Sequence, residues 1–394
     1  MMRLSERVQS LKPSVTMEIT AQAQALRKEG KDVISLAAGE PDFNTPDEIL
    51  KGMMEGIEKG LTRYTPASGF LQVRESIAKM VQEQNGFEVS PDEILLTVGA
   101  KHAIYLAIQC LVEPGDVVLL PTPAWVSYPS IVELAGGSVL PLPLLEEDGF
   151  RINVERWKNL PIPDNAKGII INSPNNPTGA SYTGEDLKRL AGWAMQRDLW
   201  IMSDEIYENI TYDNHEHVSV AALGPEVRNH TITISGFSKS RCMTGWRFGW
   251  AIADKKLIKA MSSLQSQCNS HMTSFVQWAG IAAAELDPAI TEKMVAAFDS
   301  RRNYCCERLD KLSDHCRYVR PTGAFYFFVN LEPWLKKHHS NDVEFCRRLL
   351  NDQLVGVVPG SAFGQSGYIR ISYATSQEKL EAAFDRIEAF LTQN

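Results

Sequence analysis

Five residues of unlike chemistry each follow a short β-rich run in this chain, and their types suit one kind of reaction. Lys239 stands in TITISGFSKSRCMTGWRFG (231–249), where Thr231 to Ile234 read as a buried parallel strand that loosens into Ser235, Gly236 and Ser238. A lysine at the carboxyl end of such a strand can point its amine into the crevice where an open α/β sheet binds ligands. Desolvated there and near a fixed cation such as Arg247, it loses basicity and becomes a nucleophile able to form an imine with an aldehyde. Asp204 ends a second run, and a buried carboxylate there can keep a heterocyclic nitrogen protonated, which turns the ring into an electron sink. Asn176 and Tyr207 can donate hydrogen bonds to a phenolate oxygen on that ring, and Trp125 offers a flat face for stacking. Gly99 opens a helix N-terminus, where its own amide and those of Ala100 and Lys101 suit a phosphate, helped by Ser238 and Arg247. Each residue alone has a commoner use: Asp204 as a helix cap, Trp125 and Tyr207 as core aromatics, Asn176 in a turn, Arg247 stacked on Trp246. Their arrival together at five strand ends argues for a shared site.

The elements that must position them read as strands alternating with helices. Strands are expected at Val33 to Ala37, Glu93 to Val98, Val117 to Leu120, Gly168 to Asn172, Leu199 to Met202, Thr231 to Ile234 and Phe248 to Ile252. Helices are expected at 17–30, Asp47 to Lys59, Leu71 to Asn85 and Ala100 to Leu111. Such alternation argues for a mostly parallel sheet covered by helices on both faces, which brings the carboxyl ends to one edge. After about residue 285 the texture changes to long helices (Thr291 to Lys311, Asp342 to Gln353, Ser376 to Thr392) with strands at Ala324 to Val329 and Tyr368 to Ser372. The expected organisation is a large α/β domain over 46–285 and a smaller α+β domain from 1–45 and 286–394.

Composition narrows the function. A chain of 394 residues is long for one core, and 44% hydrophobic with 22% charged residues describes an ordinary globular protein. A formal charge of −8 with no basic stripe speaks against nucleic acid as the main partner. No apolar run reaches the roughly eighteen residues of a membrane helix, and MMRLSERVQSLKPS lacks a signal-peptide core, so a cytoplasmic protein is expected. Seven cysteines without a CxxC pair read as reduced thiols. Cys305, Cys306, Cys316 and His315 lack zinc-ligand spacing, and no metal is expected.

An ordered series of motifs carries a resemblance across nearly the whole chain: LKPSVT (11–16), AAGEPDFNTP (37–46), RYTPASG (63–69), VGAKHA (98–103), PTPAWVSYP (121–129), NSPNNPTG (172–179), SDEIY (203–207), SKSRCMTGWRFG (238–249), PTGAFY (321–326), VVPGSAFG (357–364) and RISYATS (370–376). The chain resembles the class I aminotransferases, pyridoxal-phosphate enzymes of fold type I with a seven-stranded, mostly parallel α/β/α domain, and most closely their Iβ aspartate subgroup. The resemblance implies that Lys239 carries pyridoxal 5'-phosphate, that Asp204 pairs with its pyridine nitrogen, and that Asn176 and Tyr207 contact its phenolic oxygen. It implies that Ser238 and Arg247 hold the phosphate, and that Tyr64 reaches the phosphate of a neighbouring subunit, hence a homodimer with shared sites. Arg370 matches the arginine that grips the substrate α-carboxylate, with a backbone amide from Gly39. Lys101, with Ser14 and Thr16, matches the group that reads a side-chain carboxylate.

The implied reaction is transfer of the aspartate amino group to 2-oxoglutarate in two half-reactions. One departure stands out: QCNSHMT (267–273) replaces the usual SNPT-like run and leaves an aromatic donor open, while Lys12 sits where some relatives admit prephenate. The rivals are a C–S lyase on the same fold and a non-catalytic regulator that merely keeps it.

Overall fold

The computed structural model describes residues 2–9, 11 and 15–393. Its strands in chain order are β1 (Ile34–Ser35), β2 (Ile94–Val98), β3 (Val117–Thr122), β4 (Ser138–Pro143), β5 (Ala166–Asn172), β6 (Trp200–Asp204), β7 (Thr231–Gly236), β8 (Phe248–Ile252), β9 (Arg317–Tyr318), β10 (Tyr326–Asn330), β11 (Val355–Gly356), β12 (Val358–Pro359) and β13 (Tyr368–Ser372). Seven form one sheet in the order β2-β8-β7-β6-β5-β3-β4. Only β8 runs against its neighbours β2 and β7, the remaining pairs being parallel. The reversal has a consequence for the site: β8 begins where the other strands end, so Arg247, just ahead of Phe248, lies at the same edge as Lys239. Strand residues Ile169, Ile201, Ile234 and Ala251 are buried to completion, as a sheet covered on both faces requires.

The helices Ala100–Leu111 and Lys255–Cys268 pack with Ser127–Leu134 around one side of this sheet, through Ala103, Ile104, Tyr128, Met202, Ile232 and Met261. Gly184–Met195 covers another part through Leu187 and Leu190. A second sheet, four-stranded and ordered β12-β13-β10-β9, is antiparallel and sits with the long helices Pro288–Asp310, Asp342–Gln353 and Gln377–Gln393 around Phe298, Phe325, Phe345 and Phe384. A two-stranded parallel pair, β1 with β11, ties the N-terminal segment to this region.

Several boundaries differ from the sequence expectation for local reasons. The strand expected from Ala324 begins at Tyr326, because Ala324 has φ +56° and cannot extend. The helix expected from Thr291 begins at Pro288, where Asp287 caps the Ala289 amide at 3.0 Å and proline takes the first turn. Only Ile34 and Ser35 of the expected 33–37 strand pair, since β11 offers two residues. Strand β4 and the helices at 127–134, 184–195, 255–268 and 274–284 were not among the expected elements.

Candidate active site

The carboxyl edge of the large sheet opens into a cavity of about 360 Å³ that the second sheet closes from above. It is lined by Gly39, Ala100, Lys101, Trp125, Asn176, Asp204, Tyr207, Ser238, Lys239, Arg247 and Arg370, so most of the residues singled out in the sequence meet here.

Strand β7 delivers Lys239, and the Phe237–Ser238–Lys239 stretch turns its side chain inward. The amine donates to the Gly39 carbonyl at 2.5 Å. Burial lowers its pKa to about 8, the charges of Arg247 and Arg370 adding to the fall against the pull of Glu40 and Asp204. Strand β6 ends in Asp204, buried at the floor. Tyr128 donates to its Oδ2 at 2.6 Å and the Ile206 amide to its Oδ1 at 3.2 Å. Burial nonetheless pushes the carboxyl up to about 6, since those two hydrogen bonds offset only part of the cost of desolvating the anion. Asp204 thus does act as a local backbone cap, and it faces the cavity as well.

Above the floor, the Tyr207 and Tyr326 hydroxyls lie 2.8 Å apart, and burial raises the pKa of both phenols. Arg370 comes from β13, a central strand of the second sheet, and is 3% exposed. Its Nη1 donates to Asn176 Oδ1 at 2.9 Å and its Nη2 to the Ala37 carbonyl at 2.6 Å, while Nε has no partner among the described residues. The guanidinium is held between the rings of Tyr326 and Phe363, 4.5 and 5.0 Å from their centroids. A buried guanidinium served by neutral oxygens alone is an anion site in waiting. Asn176 is fixed in turn, its backbone N–H donating to Asn172 Oδ1 at 2.8 Å while Asn172 Nδ2 donates to the Asp204 carbonyl at 2.9 Å.

At the mouth, the Ala100–Leu111 helix starts from Gly99, whose φ of +80° turns the chain from β2 into the helix. A Cβ on Gly99 would meet Arg247 Nη2 at 2.3 Å, and one on Gly249 would meet the Ala100 nitrogen at 2.3 Å. Both positions must be glycine for the arginine to lie over a helix start whose first N–H groups lack intrahelical acceptors. Arg247 has φ +57° and donates to the Thr244 carbonyl at 2.9 Å. Lys101 reaches over the Trp125 ring at 4.8 Å, and burial followed by the Arg247 charge lowers its pKa.

Some expectations resolve differently. Gly99 shapes the mouth without lining the cavity, and Tyr64 is 89% exposed and does not line the cavity of its own chain. Ser14 and Lys12 lie outside the described residues, as does the side chain of Thr16. Tyr128, Tyr326 and Phe363 were missed. Tyr128 had no signal beyond its motif, since Trp125 lies ahead of the Ser127–Leu134 helix and that helix was not expected; the two rings meet edge to face at 5.2 Å. Tyr326 and Phe363 had none beyond their motifs either, because Tyr326 comes from β10 of the distant second sheet and Phe363 from the short turn of helix Gly360–Phe363 that follows β12.

The profile for the family described as Aminotransferase class I and II matches residues 31–387. The aspartate aminotransferase of Geobacillus stearothermophilus is 44% identical over 391 residues, covering 99% of each chain. A protein of Aquifex aeolicus named as a probable aspartate/prephenate aminotransferase is 41% identical, covering 99% of each. Among solved structures, aspartate aminotransferase from Thermus thermophilus with maleate superimposes with a TM-score of 0.93 at 40% identity, covering 98% of this chain and 99% of that one.

Proposed function

The chain belongs to the class I and II aminotransferase family, and from that premise we propose that it transfers the amino group of L-aspartate to 2-oxoglutarate, giving oxaloacetate and L-glutamate. The observation that carries the reading is the pairing of a buried amine of lowered basicity, Lys239, with a buried guanidinium, Arg370, that among the described residues donates to neutral oxygens.

The residues present fit pyridoxal 5'-phosphate. The Gly99 and Gly249 cradle, the amides of Ala100 and Lys101, the Ser238 hydroxyl and Arg247 make a donor set for a phosphate. Asp204 would hold a ring nitrogen, Asn176 and Tyr207 a ring oxygen, and Trp125 a ring face. When bound, the cofactor supplies an aldehyde that takes up the amino group and a ring that draws the electron pair from the substrate α-carbon. The chain's own residues do the rest. Arg370 fixes the α-carboxylate with its guanidinium, orienting the α-hydrogen toward Lys239. Lys239, with a pKa of about 8, takes that proton as the free amine and returns it, matched to work near neutral pH. The Tyr207–Tyr326 hydroxyl pair and the Tyr128 hydroxyl keep oxygen and carboxylate partners in place without adding charge. Lys101 stands at the mouth to receive the second carboxylate of a dicarboxylic substrate, and a cation left unpaired there penalises neutral donors. Support for that class of substrate comes from the relatives named for aspartate and from maleate, a dicarboxylate, in the Thermus protein.

We further propose that 46–285 and 1–45 with 286–394 act as two units across the cavity. In this reading two copies pair so that each exposed Tyr64 reaches the other's phosphate site, in the cytoplasm. The exposed apolar residues Leu50, Met54, Ile57 and Leu71 support such a pairing, and no helix among the described residues is long and apolar enough to cross a membrane.

The test is a product assay on the enzyme loaded with cofactor. Aspartate and 2-oxoglutarate should give oxaloacetate and glutamate in equal amounts, ahead of phenylalanine or tyrosine as donor. Free ammonia or sulfide in place of a new keto acid would overturn the reading in favour of a lyase. Prephenate belongs in the same panel as an acceptor, because the Aquifex relative is named for it.

A further inference from the structure

The departing run Ser270-His271-Met272 and the exposed Tyr64 turn out to be one unit. The imidazole of His271 meets the Tyr64 ring edge to face, with centroids 5.7 Å apart and planes at 90°. The imidazole is itself fixed: its Nδ1 donates to the Met272 carbonyl at 2.6 Å, its backbone amide donates to the Asn269 carbonyl at 2.8 Å, and Met272 beside it is 2% exposed. Ser270, at φ +66°, supplies the kink that presents the ring.

Beneath them two fully buried glutamines fasten the Leu61–Phe70 loop to the same segment. Gln277 Nε2 donates to the Met272 carbonyl at 2.6 Å and to Thr65 Oγ1 at 3.1 Å, while its Oε1 accepts from the Phe70 amide at 2.9 Å. Gln265 Nε2 donates to the carbonyls of Ala67 at 2.7 Å and Leu96 at 2.9 Å, and Ser274 Oγ to that of Leu61 at 2.7 Å. The backbone on either side of Tyr64 is therefore held, while its own side chain is exposed and has the His271 ring against it. An exposed phenol that must act at a distance loses rotamer freedom when it binds, and a ring already parked against another loses less.

We propose that His271 is a positioning residue that holds Tyr64 ready for the phosphate in a second copy of the chain. The departure at 270–272 then governs cofactor affinity and leaves the choice of amino donor alone. This rests on the dimeric reading of Tyr64 given above.

The experiment is titration of the apoenzyme with pyridoxal 5'-phosphate, followed by quenching of tryptophan fluorescence. It uses Tyr64→Phe, His271→Ala, His271→Phe and the Tyr64→Phe/His271→Ala double variant. An edge-to-face contact of ordinary strength corresponds to roughly a two- to tenfold weakening for His271→Ala. His271→Phe, which keeps a ring edge, should recover most of that. The double variant should bind no more weakly than Tyr64→Phe alone, and the aspartate-to-phenylalanine rate ratio should stay constant in His271→Ala. Independent, additive losses in the double variant, or a changed donor ratio with unchanged cofactor affinity, would overturn the inference. Unchanged affinity in Tyr64→Phe itself would overturn it from below, by removing the shared-site reading on which it stands.

Discussion

Asp204 and Glu205 are consecutive in the chain, yet they belong to two buried polar clusters of opposite character. Glu205 turns away from the cavity. Its Oε1 accepts from Ser203 Oγ at 2.7 Å, Ser219 Oγ at 3.1 Å and the Val220 amide at 3.3 Å, and its Oε2 lies 3.1 Å from His217 Nε2. Glu208 joins the group, accepting from Ser235 Oγ at 2.6 Å and Asn85 Nδ2 at 2.7 Å. Burial disfavours a charge on His217, but its hydrogen bond to Glu205 and the charges of Glu205 and Glu208 lift its pKa above the ordinary value. Here the chain satisfies its own charges. In the cavity, among the described residues, Arg370 keeps a bare Nε and Lys239 has only a carbonyl. Buried charge that the chain pairs with itself holds the fold, and buried charge left for something else marks the site.

Four substitutions separate the two clusters. Lys239→Ala should lower turnover by about a thousandfold or more, the scale of a lost acid–base group, with unfolding by urea little changed because a costly buried amine is gone. Turnover above about one per cent of wild type would place the chemistry elsewhere. Next, Arg370→Lys should reduce kcat/KM for every amino acid by about a hundredfold, since a point charge cannot replace a fork clamped between two rings. A loss confined to dicarboxylic donors would show that Arg370 reads the side chain instead. His217→Ala should do the reverse, costing about 3 kcal/mol of stability in urea with activity of the folded enzyme nearly intact. Its folded-state pKa is raised, so its stabilisation is complete below the unfolded value of about 6.5 and fades as pH climbs through the raised one. The stability gap between wild type and variant should therefore narrow toward alkaline pH, and a gap that widens would refute the ion pair. The smallest effect is expected from Lys101→Ala, which should cost aspartate about tenfold and phenylalanine hardly anything; equal losses would remove Lys101 from side-chain recognition.

Local pattern accounts for much of what was legible in advance. The β-branched run before Ser235 and the small residues around Lys239 announce a buried strand opening into a crevice, and β7 with its lysine lies there. The helices Leu71–Asn85 and Ala100–Leu111 start and stop where the apolar spacing and the glycines Gly86 and Gly99 place them. Strand β4 escaped notice because SVLPLP carries two prolines, which speak against a strand except at a sheet edge, and an edge is where it lies. The reversal of β8 is equally silent in FGWAI, since a strand buried on both faces reads the same in either direction.

The sequence by itself determined which chemical groups end the strands, because strand, turn and helix start are set by neighbours a few residues apart. It could not determine how those groups are shared out. That Arg370 bonds Ala37 and Asn176 and that Tyr326 meets Tyr207 follow only when two sheets close on each other, while Glu205 finds His217 only because the loop after β6 folds back beside it. These contacts join residues up to 333 positions apart, and at that range no local preference records which charge will find a partner in the chain and which will be left for a ligand.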